Sequence, residues 1–519
     1  MSVAPKYSAR YAARGTAWIW LAVATLALIC THGNWIIALA GWLYPFCLLR
    51  FTRSQHPLLG FLVTALLLTA SGLLLLIFSA IPFSVPFVLV IFVSSCFLAL
   101  PFLLDRLLTQ KWSSWVSTLL FPLGYVAVSY LKGLADPLGS LGSLAYTQYG
   151  DLPLLQLLSM TGISGILFIM TWFASLGNWI IEQDWAWPKI RRGVMLYMTI
   201  LALIFVGGYA RLLFSSQPAT VRVASLGTSA PLYARAAQGQ KQALKDLNAR
   251  RATPAELAAL RSGSTLLLND LLARTHHEAQ AGAKIVLWPE CGILLLQADE
   301  QTFLGRLATA AHQDSLYLDI GVCILNDQYL PNMLDQSILF NPQGQISWRF
   351  EKAHPVPGLD SVVAGNGVVP VVSTPYGRLS TVICFDEDFP ALLQQAGRSQ
   401  AAILLAPSND WQEIDPWHTN AITFRAIEEG FSLVRETNNG LSVAIDPAGR
   451  TLASVDYFHT DPQSMVALVP TQGTETLYAR VGDAFAWLCC LVWLALGAGA
   501  IVTRRKRLTT KPNPEPGTA

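Results

Sequence analysis

The sequence predicts two architectures in one chain: a polytopic α-helical membrane domain and an extracytoplasmic α/β domain inserted before the last membrane helix. Three observations predict this. Most of the long apolar runs fall in the first 215 residues and the last 40, and only 13% of the 519 residues are charged, against about 25% in ordinary soluble domains. Residues 219–470 have the composition of a soluble domain and alternate strand-like with helix-like periods. The lysines and arginines between the apolar runs crowd onto alternate connections.

The candidate spans are Thr16–Cys30, Trp35–Leu49, Leu58–Ile81, Phe83–Leu104, Trp115–Leu131, Leu152–Ile181, Val194–Phe214 and Ala484–Val502. A crossing needs about 20 apolar residues, so the first two are short. Nothing between Arg53 and Asp105 carries a formal charge, and Pro82 and Pro86 mark a turn in a run too long for one crossing. One set of ends carries Lys6, Arg10 and Arg14; Arg50 and Arg53; Arg106 and Lys111; Lys189, Arg191 and Arg192; and Arg504 to Arg507. The alternate ends are nearly bare. This alternation predicts about eight spans, seven of them within 1–215, with both termini cytoplasmic and residues 215–483 on the other side. A cleaved signal peptide fits poorly, because further spans follow the first. The divisions are 1–215, 216–475 and 476–519. A net charge of +2 gives no sign of a nucleic-acid partner.

Within the α/β domain, Val221–Leu226 reads as a strand and Lys241–Gln280 as one or two amphipathic helices. Lys284–Leu287 is a strand ending in Trp288-Pro289-Glu290. Residues 301–314 look helical and Tyr317–Ile324 strand-like. Asn341-Pro342-Gln343-Gly344 joins Ser337–Phe340 to Ile346–Phe350 as a hairpin, and Lys352 follows directly. Leu379–Ile383 is a buried apolar strand ending on Cys384, before the acidic turn Phe385 to Asp388. Ala402–Leu405 is another strand, and Thr419–Gly430 a helix. Helices bracketing mixed strands predict a layered α/β sandwich.

Of eight cysteines, five lie in apolar runs, and Cys291, Cys323 and Cys384 form neither a CxxC pair nor a metal-ligand spacing. No disulfide framework and no metal is expected, and Cys291 reads as filler beside Glu290. The odd thiol on the outer side of a membrane sits in an oxidising compartment, where an unpaired structural cysteine is out of place. Glu290, Lys352 and Cys384 all fall just past strand or hairpin ends. Together they form a chemical set: a thiol needs a base, and a neighbouring ammonium favours thiolate and oxyanion. Singly, each has a plainer reading: a helix N-cap neighbour, a solvated charge, a small buried residue.

The order of Glu290 in WPE, Lys352 in EKAHPVPG and Cys384 in VICFDEDFP resembles the carbon–nitrogen hydrolase (nitrilase) superfamily. With the membrane half, the chain is similar to the superfamily's membrane branch, the apolipoprotein N-acyltransferase family. Ser408-Asn409-Asp410, Pro416-Trp417-His418, Phe424 to Glu428, Thr437 to Gly440 and Leu477 to Arg480 carry the resemblance further. It implies an αββα sandwich, a Cys384 nucleophile, a Glu290 base, a Lys352 cation, and no cofactor or metal. It also implies substrate-binding or supporting roles for Asp360, Phe385, Asp386, Asn409, Asp410 and Trp411. A phospholipid acyl donor would leave its acyl group on Cys384 as a thioester, and a diacylglyceryl-modified lipoprotein amine would accept it, at the periplasmic face of a bacterial inner membrane. Asp360 and Phe385-Asp386 stand where the family has Glu and Tyr-Glu, and the loops after Asp360 and Asn409 are short. Those short loops keep open a membrane-tethered hydrolase using water, or an acyltransferase acting on a different amine. A transporter-like protein is disfavoured by spans nearly empty of ionisable residues.

Overall fold

The structure, a computed structural model, describes residues 6–509 except Phe83, 110–113, 216–217, 239, 250 and 327–332. The expected start of the fourth span at Phe83, and Lys111 of the basic set, lie outside these residues.

Four described helices are long and apolar enough to cross a membrane: Pro57–Phe78, Val85–Leu108, Ile163–Glu182 and Trp187–Leu213. Shorter apolar helices cover Thr16–Ile29, Leu152–Thr161 and Ala484–Gly499. The expected single span Leu152–Ile181 is instead broken. Two short turns, Leu152–Leu155 and Leu158–Thr161, end at Gly162 with φ 60°, and a helix restarts at Ile163. Gly162 packs against the ring of Tyr478, so even a Cβ would not fit. The two charges bounding the uncharged run meet: Arg53 Nε lies 2.7 Å from Asp105, whose side chain is fully buried.

The α/β part contains two sheets. The strands are β1 (Thr220–Leu226), β2 (Ile285–Leu287), β3 (Ile293–Leu296), β4 (Tyr317–Leu325), β5 (Met333–Phe340), β6 (Ile346–Glu351), β7 (Val371–Thr374), β8 (Gly377–Thr381), β9 (Ile403–Asn409), β10 (Ser432–Asn438), β11 (Leu441–Ile445), β12 (Thr451–Asp456) and β13 (Ser464–Pro470). One sheet runs β13-β1-β2-β4-β5-β6, with β3 beside β4, and the other β12-β11-β10-β9-β8-β7. In each, three central strands are parallel (β1, β2, β4; β8, β9, β10), with antiparallel strands outside. β9 and β10 are covered on both faces and buried almost throughout; β9 opens on an apolar run, whereas β10 carries the buried charges Arg435 and Glu436.

Between the sheets, Val223, Ile285, Leu287 and Leu339 pack against Leu379, Leu404 and Leu433. Outside the first sheet, the helices Pro254–Gln280 and Glu300–Gln313 cover a second core. The helix Trp417–Glu429 covers the second sheet and is buried on both sides. Its Ala421, Phe424 and Ile427 join one apolar cluster with Tyr146, Leu154, Leu158 and Ile166 of the membrane half. The sandwich is therefore bound to the membrane helices through its own helical layer.

Candidate active site

Each chemistry-bearing side chain follows the end of a strand, β2 and β8 inside their sheets and β6 at an edge. Glu290 follows β2 in a tight turn laid over β4 at Gly321, where a Cβ would strike the Pro289 carbonyl. Lys352 follows β6, its N–H donating to the Asp335 carbonyl at 2.9 Å. Past β8, Val382 and Ile383 lead to Cys384, which adopts φ 46° and opens a 3-10 turn to Asp388. A left-handed residue with a side chain costs on the order of 1 kcal/mol or more. Here it turns the thiol out of the sheet.

Lys352 is buried, and its ammonium donates to Glu290 Oε1 at 2.6 Å and to Asp360 Oδ2 at 2.7 Å. Asp360, despite its shorter reach, also accepts the Val356 N–H at 2.8 Å. The Cys384 thiol donates to the Asn409 carbonyl at 3.8 Å and faces Asp410 Oδ1 at 4.0 Å. Burial and the Glu290 carboxylate push its pKa well above the ordinary thiol value, while Lys352 and Arg435 pull the other way. A thiol held protonated in this way would need a base at hand to act as a nucleophile.

The other expected residues divide by position. Asp386 accepts the N–H groups of Ala353 and Ile383 at 3.2 Å and of His354 at 2.7 Å, bracketing the thiol's turn to the segment after Lys352. Phe385 meets Phe389 edge-on at 5.4 Å. Asn409 Oδ1 accepts from Asn439 at 2.9 Å. Trp411 donates to the Ser79 carbonyl at 2.6 Å and packs with the Leu76, Ile81, Phe87 and Ile91 cluster of the apolar helical hairpin. Asp410 is buried between Arg435, at 2.9 and 3.0 Å, and His418, at 3.0 Å.

Three groups near the thiol went unassigned in the sequence reading. Arg435 also binds Glu387 at 2.8 Å, and its field opposes the burial that pushes Glu387 up to about 7. Burial alone would depress His418, but Asp410 and Asp388 push it up to about 10. Asp335 lies with Glu290 and Lys352. Arg435 and Asp335 had a signal: each is a charge inside an otherwise strand-like run.

One expectation is corrected. Cys291 is not filler: it forms a disulfide with Cys323 of β4. The pairing was hidden because 32 residues separate the two, and only the strand order brings them together. Among the described residues of the sandwich, Cys384 is then the free thiol.

Cys384 lines a small apolar cavity of about 20 Å³ with Ile81, Leu138, Leu141, Trp411 and Trp417. Across Leu141 opens a larger cavity, about 540 Å³, between Leu98, Tyr125, Lys132 and Leu167 of the membrane half and His354 and Phe389 of the sandwich.

Residues 235–475 match the family described as carbon-nitrogen hydrolase. A protein of Geobacter metallireducens named apolipoprotein N-acyltransferase is 24% identical, over 75% of this chain and 74% of its own. One of Vibrio vulnificus with the same name is 27% identical over 43% of this chain, and the match spans about half of that protein, 49%. A solved amidase from Nesterenkonia sp. is 18% identical with a TM-score of 0.39, covering 52% of this chain and 97% of the amidase.

Proposed function

We propose that this chain, which carries a carbon–nitrogen hydrolase domain over residues 235–475, is a membrane acyltransferase of the apolipoprotein N-acyltransferase type. The observation that carries the reading is the buried Glu290–Lys352 pair beside Cys384, with the half-buried Asp360 on the same ammonium, on a sandwich bound to apolar helices. The relatives' shared name supports the substrate class.

The donor is a phospholipid ester. Glu290 takes the Cys384 proton as sulfur attacks the ester carbonyl, and Lys352 stabilises the oxyanion. The C–O bond breaks, the proton passes to the departing alcohol, and lysophospholipid leaves an acyl thioester. The α-amine of a diacylglyceryl-cysteine then attacks. A C–N bond forms, the C–S bond breaks, and the amine's proton returns to sulfur through Glu290. Both substrates keep their chains in the bilayer, so a reactive domain held at both ends by membrane helices need not extract them. In this reading 1–215 and 476–519 hold about eight spans, 216–475 is catalytic and periplasmic, and both termini are in the cytoplasm of a bacterium's inner membrane.

The apolar wall around the thiol favours transfer over hydrolysis, because excluding water protects a thioester. Mass spectrometry of lipoprotein N-termini from cells with and without the protein tests this. An added amide-linked acyl chain that depends on the protein is expected. Free fatty acid as the product, with unchanged lipoproteins, overturns it in favour of a hydrolase.

A further inference from the structure

Behind the Glu290–Lys352 pair lies a carboxyl that the mechanism above does not use. Asp335, in β5, is 1% exposed, with Oδ2 3.9 Å from Lys352 Nζ. Glu290 Oε1 lies 2.6 Å from the same ammonium, so the two carboxyls flank one nitrogen. Glu290 Oε2 and Asp335 Oδ1 are both buried without a donor among the described residues. Two carboxylates so placed offer each other only lone pairs. A proton shared by the pair would give both oxygens a partner.

The charge count agrees. Glu290, Asp335 and Asp360 surround one ammonium, Lys352. Fully ionised, they would leave two uncompensated negative charges beside a thiol that must itself become an anion. Neighbouring carboxylates in a buried site resolve this by keeping one proton. Burial and the Glu290 charge push Asp335 well above the ordinary carboxyl range, against the pull of Lys352.

The turn of Glu290 is also braced covalently. Cys291 adjoins Glu290 in the chain, and Cys323 is the cross-strand partner of Asp335 in the β4–β5 ladder. Their disulfide ties the turn carrying the base to β4, the strand that pairs with the one carrying the acid.

We propose that Asp335 is a positioning acid: neutral at working pH, it donates its proton to Glu290 and holds the base in place, leaving the Lys352 charge for the oxyanion. This rests on the roles given above to Glu290, Lys352 and Cys384. When the thiol proton reaches Glu290, the carboxyl pair becomes neutral. The thiolate then faces Lys352 without a second anion behind it.

Two substitutions and one spectrum test the proposal. Asp335→Asn keeps the size and an N–H donor but cannot ionise, and should hold kcat within about fivefold of the parent. Asp335→Ala removes the donor and should lower kcat at least about fiftyfold, with the KM for phospholipid little changed. Purified Cys384→Ala protein at neutral pH should show a protonated-carboxyl infrared band that is absent from Cys384→Ala/Asp335→Asn. That band is read without turnover, so it stands even if acylation turns out not to need Cys384. Its absence from the difference spectrum would mean that Asp335 is ionised, and the proposal would fall while the nucleophile assignment stood. It falls equally if Asp335→Asn is as damaging as Asp335→Ala, because the charge rather than the donor would then be required. Should Asp335→Ala not fold, the Asn variant and the spectrum still decide.

Discussion

Ser140 donates both its backbone N–H, at 2.8 Å, and its hydroxyl, at 2.7 Å, to the carbonyl oxygen of Asp388. Asp388 ends the turn that Cys384 begins, so a loop of the membrane half grips the turn of Cys384 itself. The Ser140 hydroxyl also meets Tyr146 at 2.6 Å, and Tyr146 accepts from the buried Arg425 at 2.9 Å. A hydrogen bond of this kind contributes about 0.5–1.5 kcal/mol, or roughly two- to tenfold in rate if it acts on the transition state. Ser140→Ala should therefore slow single-turnover acyl-enzyme formation by about that factor, with the protein still folded in detergent. A parental rate would show that the turn holds its own shape.

Asp386 is fully buried and its two oxygens accept three backbone N–H groups. There is no room for a further methylene without displacing the turn, and overpacking of this kind costs about 1–3 kcal/mol. Asp386→Glu should lower both the melting temperature and turnover. Asp360→Glu, at a half-exposed site, should cost less stability but still weaken turnover by crowding Lys352. An Asp386→Glu enzyme as active and stable as the parent would refute a fitted turn.

The alkaline behaviour should carry the signature of His418. Its pKa rises from about 6.5 to about 10 on folding, as Asp410 and Asp388 outweigh its burial. A raised pKa contributes stability that is complete below the unfolded value and lost as pH climbs through the folded one. The stability advantage of the parent over His418→Gln should be largest at pH 6 and shrink as pH rises towards 10. Melting curves across that range check it, and a constant gap would show that the imidazole is neutral in the folded protein.

Much of this was legible in the sequence because the signals were local. The strand leading to Cys384 is a short apolar run, the Asn341 to Gly344 hairpin has turn chemistry, and Glu290, Lys352 and Cys384 follow strand ends. What stayed hidden depends on strand order. Cys291 and Cys323 meet only because β2 lies beside β4, and Asp335 comes to Lys352 from β5, on the other side of β4. The break at Gly162 was masked by uninterrupted hydrophobicity, since hydropathy does not register one left-handed residue. Trp411, expected in a substrate-binding or supporting role, lines the cavity at Cys384 and also donates its indole N–H to the Ser79 carbonyl of the membrane half, a contact with no local signal.

The alternation of basic residues sets a prediction about sides. A reporter active only outside the cytoplasm, fused after Phe214 or within 215–483, should be active, and the same reporter after Arg507 silent. The reverse pattern would place the Cys291–Cys323 pair in a reducing compartment and contradict the disulfide as well as the orientation.

The cysteines allow the sharpest test of the nucleophile. Cys384→Ala should form no acyl-enzyme with phospholipid, since no other group in the cluster can make a thioester. Cys384→Ser should retain at most a slow ester, because a hydroxyl is far less acidic than a thiol. Glu290→Gln and Lys352→Met should each lose most turnover, and the double variant little more, as expected of groups that act as one unit. The parent should gain one acyl mass removable by neutral hydroxylamine. Replacing Cys291 and Cys323 together by Ser opens a loop of 32 residues, at a cost of about 3–4 kcal/mol if the chain-entropy account holds. That variant should melt earlier and lose rate through a less firmly held Glu290, yet still carry the acyl group on Cys384. An acyl mass that persists in Cys384→Ala, or one that disappears only with Cys291 and Cys323, would move the nucleophile elsewhere and end the mechanism proposed for this site.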